Sequence, residues 1–556
     1  MRDEKAIYSF DIFDTSLVRT CGTPSNFFEI LSYNVFKGIV SSNTRLSFIF
    51  ARHDAEIKAA EENTYYTIYD IYNHFSFSHQ LLRDIHDLPA IEIGLEKELT
   101  LPVHSILTRI KEIRKTSKKI IFISDMYIPT NHLRDILSFH GLIEEEDSIY
   151  VSCDCKAQKS NGSIFKLIKT KERIEYTNWH HWGDNEISDI KEPRRLGINC
   201  HHIEHQYSLY QKQWSDSNSI YNIVNGNYKG ILAGLSRAIN ISFPFHPRNL
   251  LLADVIAPLY CSFVYKILSH AEKKGINQLF FLSRDTFQLY NIAKEYQTLF
   301  PNVSIKYLRI SRQALYNSDE NLLISFFEQE GLASTNLHSA IVDSTSSGKT
   351  SNTINNILQK YNFNKINLLL LTIACHKNVP AKTDDNDFIV YWPNGWTDTM
   401  VNNSIVEYIF SSNTEQRTIS YSTFKGKVFP VFSEENYIQD IKQPNINDLQ
   451  QLHISFLKAY TRFFIDNKLF LFADRILDEI AFHTLTHFLK YPFRQYTESL
   501  IGSNYLNEGQ KIPLIKKESI FQLIRTRGKD TIWPRATVFY NIPQWMVYYF
   551  IKRRIK

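Results

Sequence analysis

Three apolar runs, each closed by a polar residue, constrain this chain more than any other feature. They are the stretches around Ser9-Phe10-Asp11-Ile12-Phe13-Asp14-Thr15, Ile120-Ile121-Phe122-Ile123-Ser124-Asp125 and Trp182-Gly183-Asp184-Asn185-Glu186-Ile187-Ser188-Asp189. Between the second and third lies the turn Lys159-Ser160-Asn161-Gly162-Ser163-Ile164-Phe165. Continuous apolar runs of this length read as strands buried on both faces, the habit of parallel sheets. Such a strand delivers its terminal polar residue to the carboxyl edge of the sheet.

The remaining pattern agrees with an α/β architecture. Strands are predicted at 6–10, 118–124, 148–151 and 178–182, and helices at 24–33, 46–60, 68–75 and 91–99 fill the interval between the first two. At 556 residues the chain exceeds what one core supports, and about three domains are expected. The first covers 1–205, with a helical insertion at about 22–100. A polar stretch at 206–245, rich in Ser, Asn, Gln and Tyr over its first half, reads as a linker. Strands at 278–282, 305–310, 340–343, 366–374 and 388–392 alternate with helices at 250–274 and 286–297. They predict a second, Rossmann-like domain over 246–445. From 446 to 556 the apolar spacing is helical, as in 449–465 and 473–489.

Together the four segments resemble the motifs of the haloacid dehalogenase superfamily. That resemblance implies a parallel sheet with a helical cap and magnesium-dependent phosphoryl transfer. It places Asp11 as the nucleophile, Ser124 as the hydroxyl that binds the transferring phosphoryl group and Lys159, rather than Lys156, as the neutralising lysine. Asp184 becomes a magnesium ligand beside Asp11, the backbone carbonyl of Phe13 a further ligand, and Asp189 an outer-sphere or water-mediated one. A carboxylate suits the nucleophilic role because its acyl phosphate is readily hydrolysed, which splits one hard displacement into two. Magnesium in turn prefers one or two carboxylates together with water and phosphate oxygens.

The chain departs from that pattern at Phe13, where the superfamily's proton donor stands. Loss of general acid assistance costs about 100- to 10,000-fold unless the leaving group is already a weak base. Asp14, one position on, is either a surrogate acid or a loop cap.

The second half carries Phe281-Leu282-Ser283-Arg284-Asp285, Ile310-Ser311-Arg312 and Val342-Asp343-Ser344-Thr345-Ser346-Ser347-Gly348-Lys349-Thr350. The last falls short of a phosphate-binding loop because Asp343 stands where its first glycine belongs. Over both halves the chain resembles haloacid-dehalogenase-type hydrolases encoded among bacterial surface-polysaccharide genes, some fused to glycosyltransferases. This implies a phosphorylated small molecule or sugar as substrate, a glycosyltransferase partner, and a second site at Arg284, Asp285, Arg312 and Asp343. A non-catalytic scaffold in polysaccharide assembly and a transferase working from the second domain are the alternative readings.

A net charge of +5 is too mild to argue for nucleic-acid binding, which needs a concentrated basic face. Six cysteines in a chain of this length do not form a disulfide framework, and reduced cytoplasmic thiols are expected. Met1-Arg2-Asp3-Glu4-Lys5 runs straight into a strand, without the pattern of a signal peptide. No uncharged apolar run reaches the roughly 18 residues that span a bilayer. The aromatic 537–551 followed by Lys552-Arg553-Arg554-Ile555-Lys556 suits either peripheral contact with anionic lipid or an ordinary packed terminus. The histidines at 180, 181, 201, 202 and 205 lack the spacing of a metal site and read as solvated or core-satisfied.

Overall fold

The computed structural model describes residues 6–82, 87–116, 119–215, 228–283, 285–334, 338–344, 349–372, 388–391, 416–433, 446–501, 504–507 and 510–546. They form two units. The first comprises Met1–Phe245 together with Asp466–Leu469, and the second comprises His246–Ile465 and Phe470–Lys556.

The first unit is built on five parallel strands: β1 (Ile7–Asp11), β4 (Ile120–Ser124), β5 (Ser148–Val151), β6 (Trp179–Gly183) and β7 (Asn199–His202). Their order across the sheet is β5-β4-β1-β6-β7. Alternation along the strands feeds two cores. Phe10, Ile120 and Phe122 meet helices His104–Arg114 and Thr130–Phe139 on one face, while Ile121, Ile123 and Trp179 meet helix Ser163–Glu172 on the other. The chain winds outward from β1 to β5 and then returns to β6, so the winding reverses between β1 and β6. A crevice opens at such a switch point, outside the carboxyl ends of the two strands, and those ends carry Asp11 and Asp184.

A short antiparallel ribbon, β2 (Leu17–Arg19) with β3 (Thr100–Pro102), brackets the insertion of helices α1 (Pro24–Phe36), α2 (Ser42–Glu62), α3 (Ile68–Asn73) and α4 (Leu88–Glu98). Inside the insertion the fully buried Arg52 donates Nε and Nη2 to Glu92 at 2.8 and 2.7 Å. Glu92 also accepts from the Tyr72 and Tyr127 hydroxyls at 2.7 and 3.1 Å. A buried charge is tolerable only with such a complete set of partners.

The stretch expected to be a linker contains two helices, with 216–227 lying outside the described residues. Helices Leu209–Trp214 and Tyr228–Ser242 lie within 206–245, and the second buries Ile231, Leu232, Leu235 and Ile239 in the first unit. Gly234 of that helix approaches Gly22 so closely that a Cβ at 234 would lie 2.4 Å from the Gly22 Cα. Asn467, in the excursion Asp466–Leu469, donates its amide to the Thr20 hydroxyl at 3.0 Å. Thr20 in turn holds the Leu99 carbonyl on the other side of the ribbon through its N–H (2.8 Å) and hydroxyl (3.1 Å).

The second unit contains another five-stranded parallel sheet: β8 (Gln278–Leu282), β9 (Ser304–Leu308), β10 (Ser339–Ser344), β11 (Asn367–Thr372) and β12 (Phe388–Tyr391), ordered β12-β11-β10-β8-β9. Two antiparallel hairpins, Thr418–Phe424 with Lys427–Phe432 and Asn504–Asn507 with Gln510–Pro513, interrupt regions read as α/β and purely helical. Helix Arg248–Lys273 is long and apolar enough to cross a membrane by length and composition, contrary to the search for an uncharged run, which Asp254 breaks. In the structure 83% of its most apolar stretch is buried within the protein, and Asp254 accepts from the Tyr496 hydroxyl at 2.7 Å. Among the described residues five cysteines are free.

Candidate active site

Asp11 ends β1 with its side chain 7% exposed, and Lys159, on the turn before helix Ser163–Glu172, reaches it from the neighbouring loop. The Lys159 Nζ donates to Asp11 Oδ1 at 2.6 Å and to Asp189 Oδ1 at 2.7 Å. Lys156 points elsewhere and donates to the Tyr65 carbonyl at 3.3 Å. Asp184 follows β6 and accepts from the Thr15 hydroxyl at 3.3 Å. Ser124, almost fully buried at the end of β4, lines the same cavity of about 360 Å³.

Asp189 holds the lysine in place and is itself fully held. Its Oδ1 takes Lys159 and the His181 Nε2 (3.2 Å), and its Oδ2 takes the Asn185 N–H at 3.1 Å. Lys159 and the His181 bond keep the Asp189 carboxyl below the usual range against the effect of burial. Burial pushes Asp11 above that range, and its share of Lys159 does not reverse the shift. Asp184 is likewise raised, by burial and then by the neighbouring carboxylates of Asp14 and Asp189. The lysine is shared, and Asp189, with two further donors, is the better compensated of its partners.

Asp11, Asp184 and Asp189 each offer an oxygen within 4.8 Å of the others, the one such group of potential metal-holding side chains among the described residues. Three carboxylates against one lysine leave excess negative charge at a buried point. Hard oxygen donors in that arrangement fit a magnesium-type dication.

Sequence reasoning overlooked two contributors. Asp125 accepts the Lys159 N–H with both oxygens at 3.0 Å, anchoring the lysine's own backbone. His181, read as solvated or core-satisfied, is buried in register with Ser9 across the β1–β6 pair. Its Nδ1 lies 2.8 Å from the Ser9 Oγ, which accepts from the Trp179 indole N–H at 2.7 Å. A carboxylate can only accept, so Nε2 carries the proton toward Asp189. Burial holds the ring neutral, so Nδ1 accepts from Ser9. The chain of donors therefore runs Trp179 to Ser9 to His181 to Asp189. The period-two alternation of Trp-His-His-Trp was the available signal, because it puts His181 on the side of Trp179.

Phe13 lies beneath the Arg19 guanidinium, 4.4 Å from its ring centre, and Arg19 is bidentate to the buried Glu96. Asp14 adopts the left-handed conformation (φ 56°), lines the cavity and faces Arg237 Nη2 at 3.5 Å.

The second set is less complete. Asp285 follows β8 and Asp343 lies in the adjacent β10, where the Ser344 hydroxyl donates to the Asp285 carbonyl at 3.1 Å. Arg312 opens helix Arg312–Asn317 and is exposed, while Arg284 and 345–348 lie outside the described residues, as do 547–556 of the aromatic and basic terminus.

No protein-family model and no curated protein matches this chain. Solved structures do. A HAD family enzyme from Bacteroides thetaiotaomicron is 13% identical, spanning 38% of this chain and 99% of its own, with a TM-score of 0.28. A HAD phosphatase from Thermococcus onnurineus is 16% identical over 36% of this chain and 87% of its own, with a TM-score of 0.27. The putative HAD-hydrolase YfnB from Bacillus subtilis, bound to magnesium, is 15% identical over 37% and 92%, with a TM-score of 0.27.

Proposed function

We propose that the protein is a magnesium-dependent phosphatase-type hydrolase that works through an aspartyl phosphate on Asp11, with a sugar phosphate or polysaccharide precursor as substrate. The observation that carries this reading is Lys159 bridging Asp11 and Asp189 beside Asp184, at the point where the winding of the sheet reverses. Asp11 and Asp184, with the Phe13 carbonyl, would hold the ion, whose chemistry there is neutralisation of charge on the phosphoryl oxygens. Asp189 has both oxygens engaged by the protein, so its part is to aim Lys159.

The Asp11 oxygen not bonded to Lys159 attacks phosphorus, and the bond from phosphorus to the substrate oxygen breaks. The departing oxygen takes its proton from water or from Asp14, because Phe13 has none to give. Water then attacks the aspartyl phosphate, releasing inorganic phosphate and restoring Asp11. Ser124 donates to a phosphoryl oxygen throughout. The helices over the crevice serve as the cap that excludes water and selects the substrate. The phenyl ring at the proton donor's position favours weakly basic leaving groups, and it is the observation that would favour a weakly catalytic scaffold instead.

Hydrolysis of p-nitrophenyl phosphate with magnesium tests this reading. Asp11→Asn should abolish turnover by at least a thousandfold with an unchanged circular dichroism spectrum. A variant as active as the parent would remove Asp11 from the chemistry.

A further inference from the structure

Helix Ile520–Thr526, in the second unit, is turned inside out for a helix at a protein surface. Its inner side is Leu523, which is buried, and Thr526, whose hydroxyl donates to Glu518 at 2.9 Å. Its outer side is Ile520, Phe521 and Ile524, exposed by 59%, 87% and 69%. Ile524 lies four residues from Ile520 and three from Phe521, so the three make one contiguous patch on a single helix face. The helix is held in that orientation. Ser519 and Gln522 cap its start reciprocally, the Glu518 N–H donates to Asn541 Oδ1 at 2.9 Å, and the Asn541 amide donates to the Lys516 carbonyl at 2.8 Å. A fixed apolar patch of this kind, unlike scattered single exposures, marks a surface that meets something apolar.

Charge around the patch has one sign. Lys517, Arg525, Arg527 and Lys529 are exposed and make no ion pair among the described residues. Of the two acids in 516–530, Asp530 is paired with Lys516 at 2.8 Å, and the Glu518 side chain is turned inward and only 2% exposed. A protein partner would have to oppose acids to all four cations. Three apolar side chains also fall well short of the roughly 800 Å² per partner that a stable protein complex buries. An anionic bilayer meets both conditions, because its acyl boundary takes the apolar side chains while its headgroups take the cations. We propose that this face docks peripherally on a membrane carrying anionic lipid, with Phe521 and Ile524 at the headgroup boundary and Lys517, Arg525, Arg527 and Lys529 against the headgroups. The contact is thus placed ahead of the terminal stretch that the sequence offered for it, of which Thr537 and Tyr540 are packed inside the protein.

Flotation of the full-length protein with lipid vesicles tests the assignment. Vesicles of phosphatidylcholine with about one third phosphatidylserine should bind at least tenfold more strongly than phosphatidylcholine alone, since each Lys or Arg near such a surface contributes roughly fivefold. Raising the salt from about 50 to 500 mM should shrink that preference severalfold. Phe521→Ser with Ile524→Ser should weaken binding to the anionic vesicles about tenfold or more, because both side chains leave water on docking. Arg525→Gln with Lys529→Gln should weaken it about as much. Both double variants should keep the parent's thermal midpoint, as exposed substitutions do. No flotation with either vesicle, equal flotation with both, or anionic binding indifferent to the two double variants would overturn the inference, the last by moving the contact to another surface. A parent that ignores vesicles but dimerises in the ultracentrifuge, with Phe521→Ser and Ile524→Ser restoring the monomer, would overturn it in favour of a contact between two copies.

Discussion

Replacing His181 with leucine tests whether the buried donor chain behind the site maintains it. The substitution keeps an apolar side chain of similar bulk between β1 and β6 but removes one donor to the Asp189 carboxylate and the acceptor of the Ser9 hydroxyl. A hydrogen bond to a charged group contributes about 1.5–3 kcal/mol, and the Ser9 hydroxyl is left only its longer contact with the His180 carbonyl at 3.5 Å. The first unit should therefore lose about 3 kcal/mol, a large fraction of the 5–15 kcal/mol typical of a domain. Hydrogen exchange of the peptide covering Ile7–Asp11 reports this locally, and its protection should fall about a hundredfold. Turnover of p-nitrophenyl phosphate should drop about 10- to 100-fold, mainly in kcat, because Asp189 no longer aims Lys159 correctly. His181→Gln can donate to Asp189 and accept from Ser9, so it should recover most of both losses. A leucine variant as protected and as active as the parent, or a glutamine variant no better than leucine, would refute the role.

Further outcomes follow from other contacts. Phe13→Asp should raise the rate on alkyl phosphates relative to aryl phosphates by about tenfold, since only the alkoxide needs a proton; an unchanged ratio would mean that another group already supplies it. Gly234→Ala should lower the thermal midpoint by the equivalent of about 1–3 kcal/mol or more, because the new Cβ meets the Gly22 backbone, and a neutral result would show that the helix can shift. The raised Asp11 carboxyl, at about 7 against 3.8, means that the folded protein binds this proton more tightly than the unfolded one. Its contribution to stability is therefore present below 3.8 and lost as pH rises toward 7. Asp189, shifted the other way, adds stability above the ordinary carboxylate range that is lost in stronger acid. Magnesium should accordingly raise the thermal midpoint more at pH 7.5 than at pH 5, and Asp11→Asn should flatten that difference.

What the sequence made legible was whatever burial writes as continuous apolar runs. The central strands of both sheets, with Asp11 and Asp184 at their edges, belong to this class, and the helices of the insertion show by their own apolar spacing; Lys159, on a polar turn, was singled out by the resemblance alone. β7 did not show, because an edge strand spelled Asn-Cys-His-His is largely solvated and has no apolar signature. Helix Tyr228–Ser242 was hidden by the polar stretch before it, although its own apolar residues recur at helical spacing. The pairs Arg19–Glu96 and Arg52–Glu92 lie 77 and 40 residues apart and resemble ordinary solvated charges until the insertion folds them inward. Asp125 and His181 acquire their meaning from the loop and the strand they face, which no local pattern encodes.

The excursion Asp466–Leu469 has a consequence for the order in which the protein comes into being. The first unit is complete in every other respect once Phe245 has been made, but the Asn467 amide that closes on Thr20 is synthesised 222 positions later. At about 5–20 residues per second, the ribbon beneath the insertion waits roughly ten to forty seconds for that contact. During this interval the contact of Asn467 with Thr20, which ties the base of the insertion, is missing. A nascent chain stalled before Asp466 should thus show protected amides in β1 and β4 and a Thr20 amide, paired to the Leu99 carbonyl, that exchanges faster than in the released chain, where Asn467 holds the Thr20 hydroxyl.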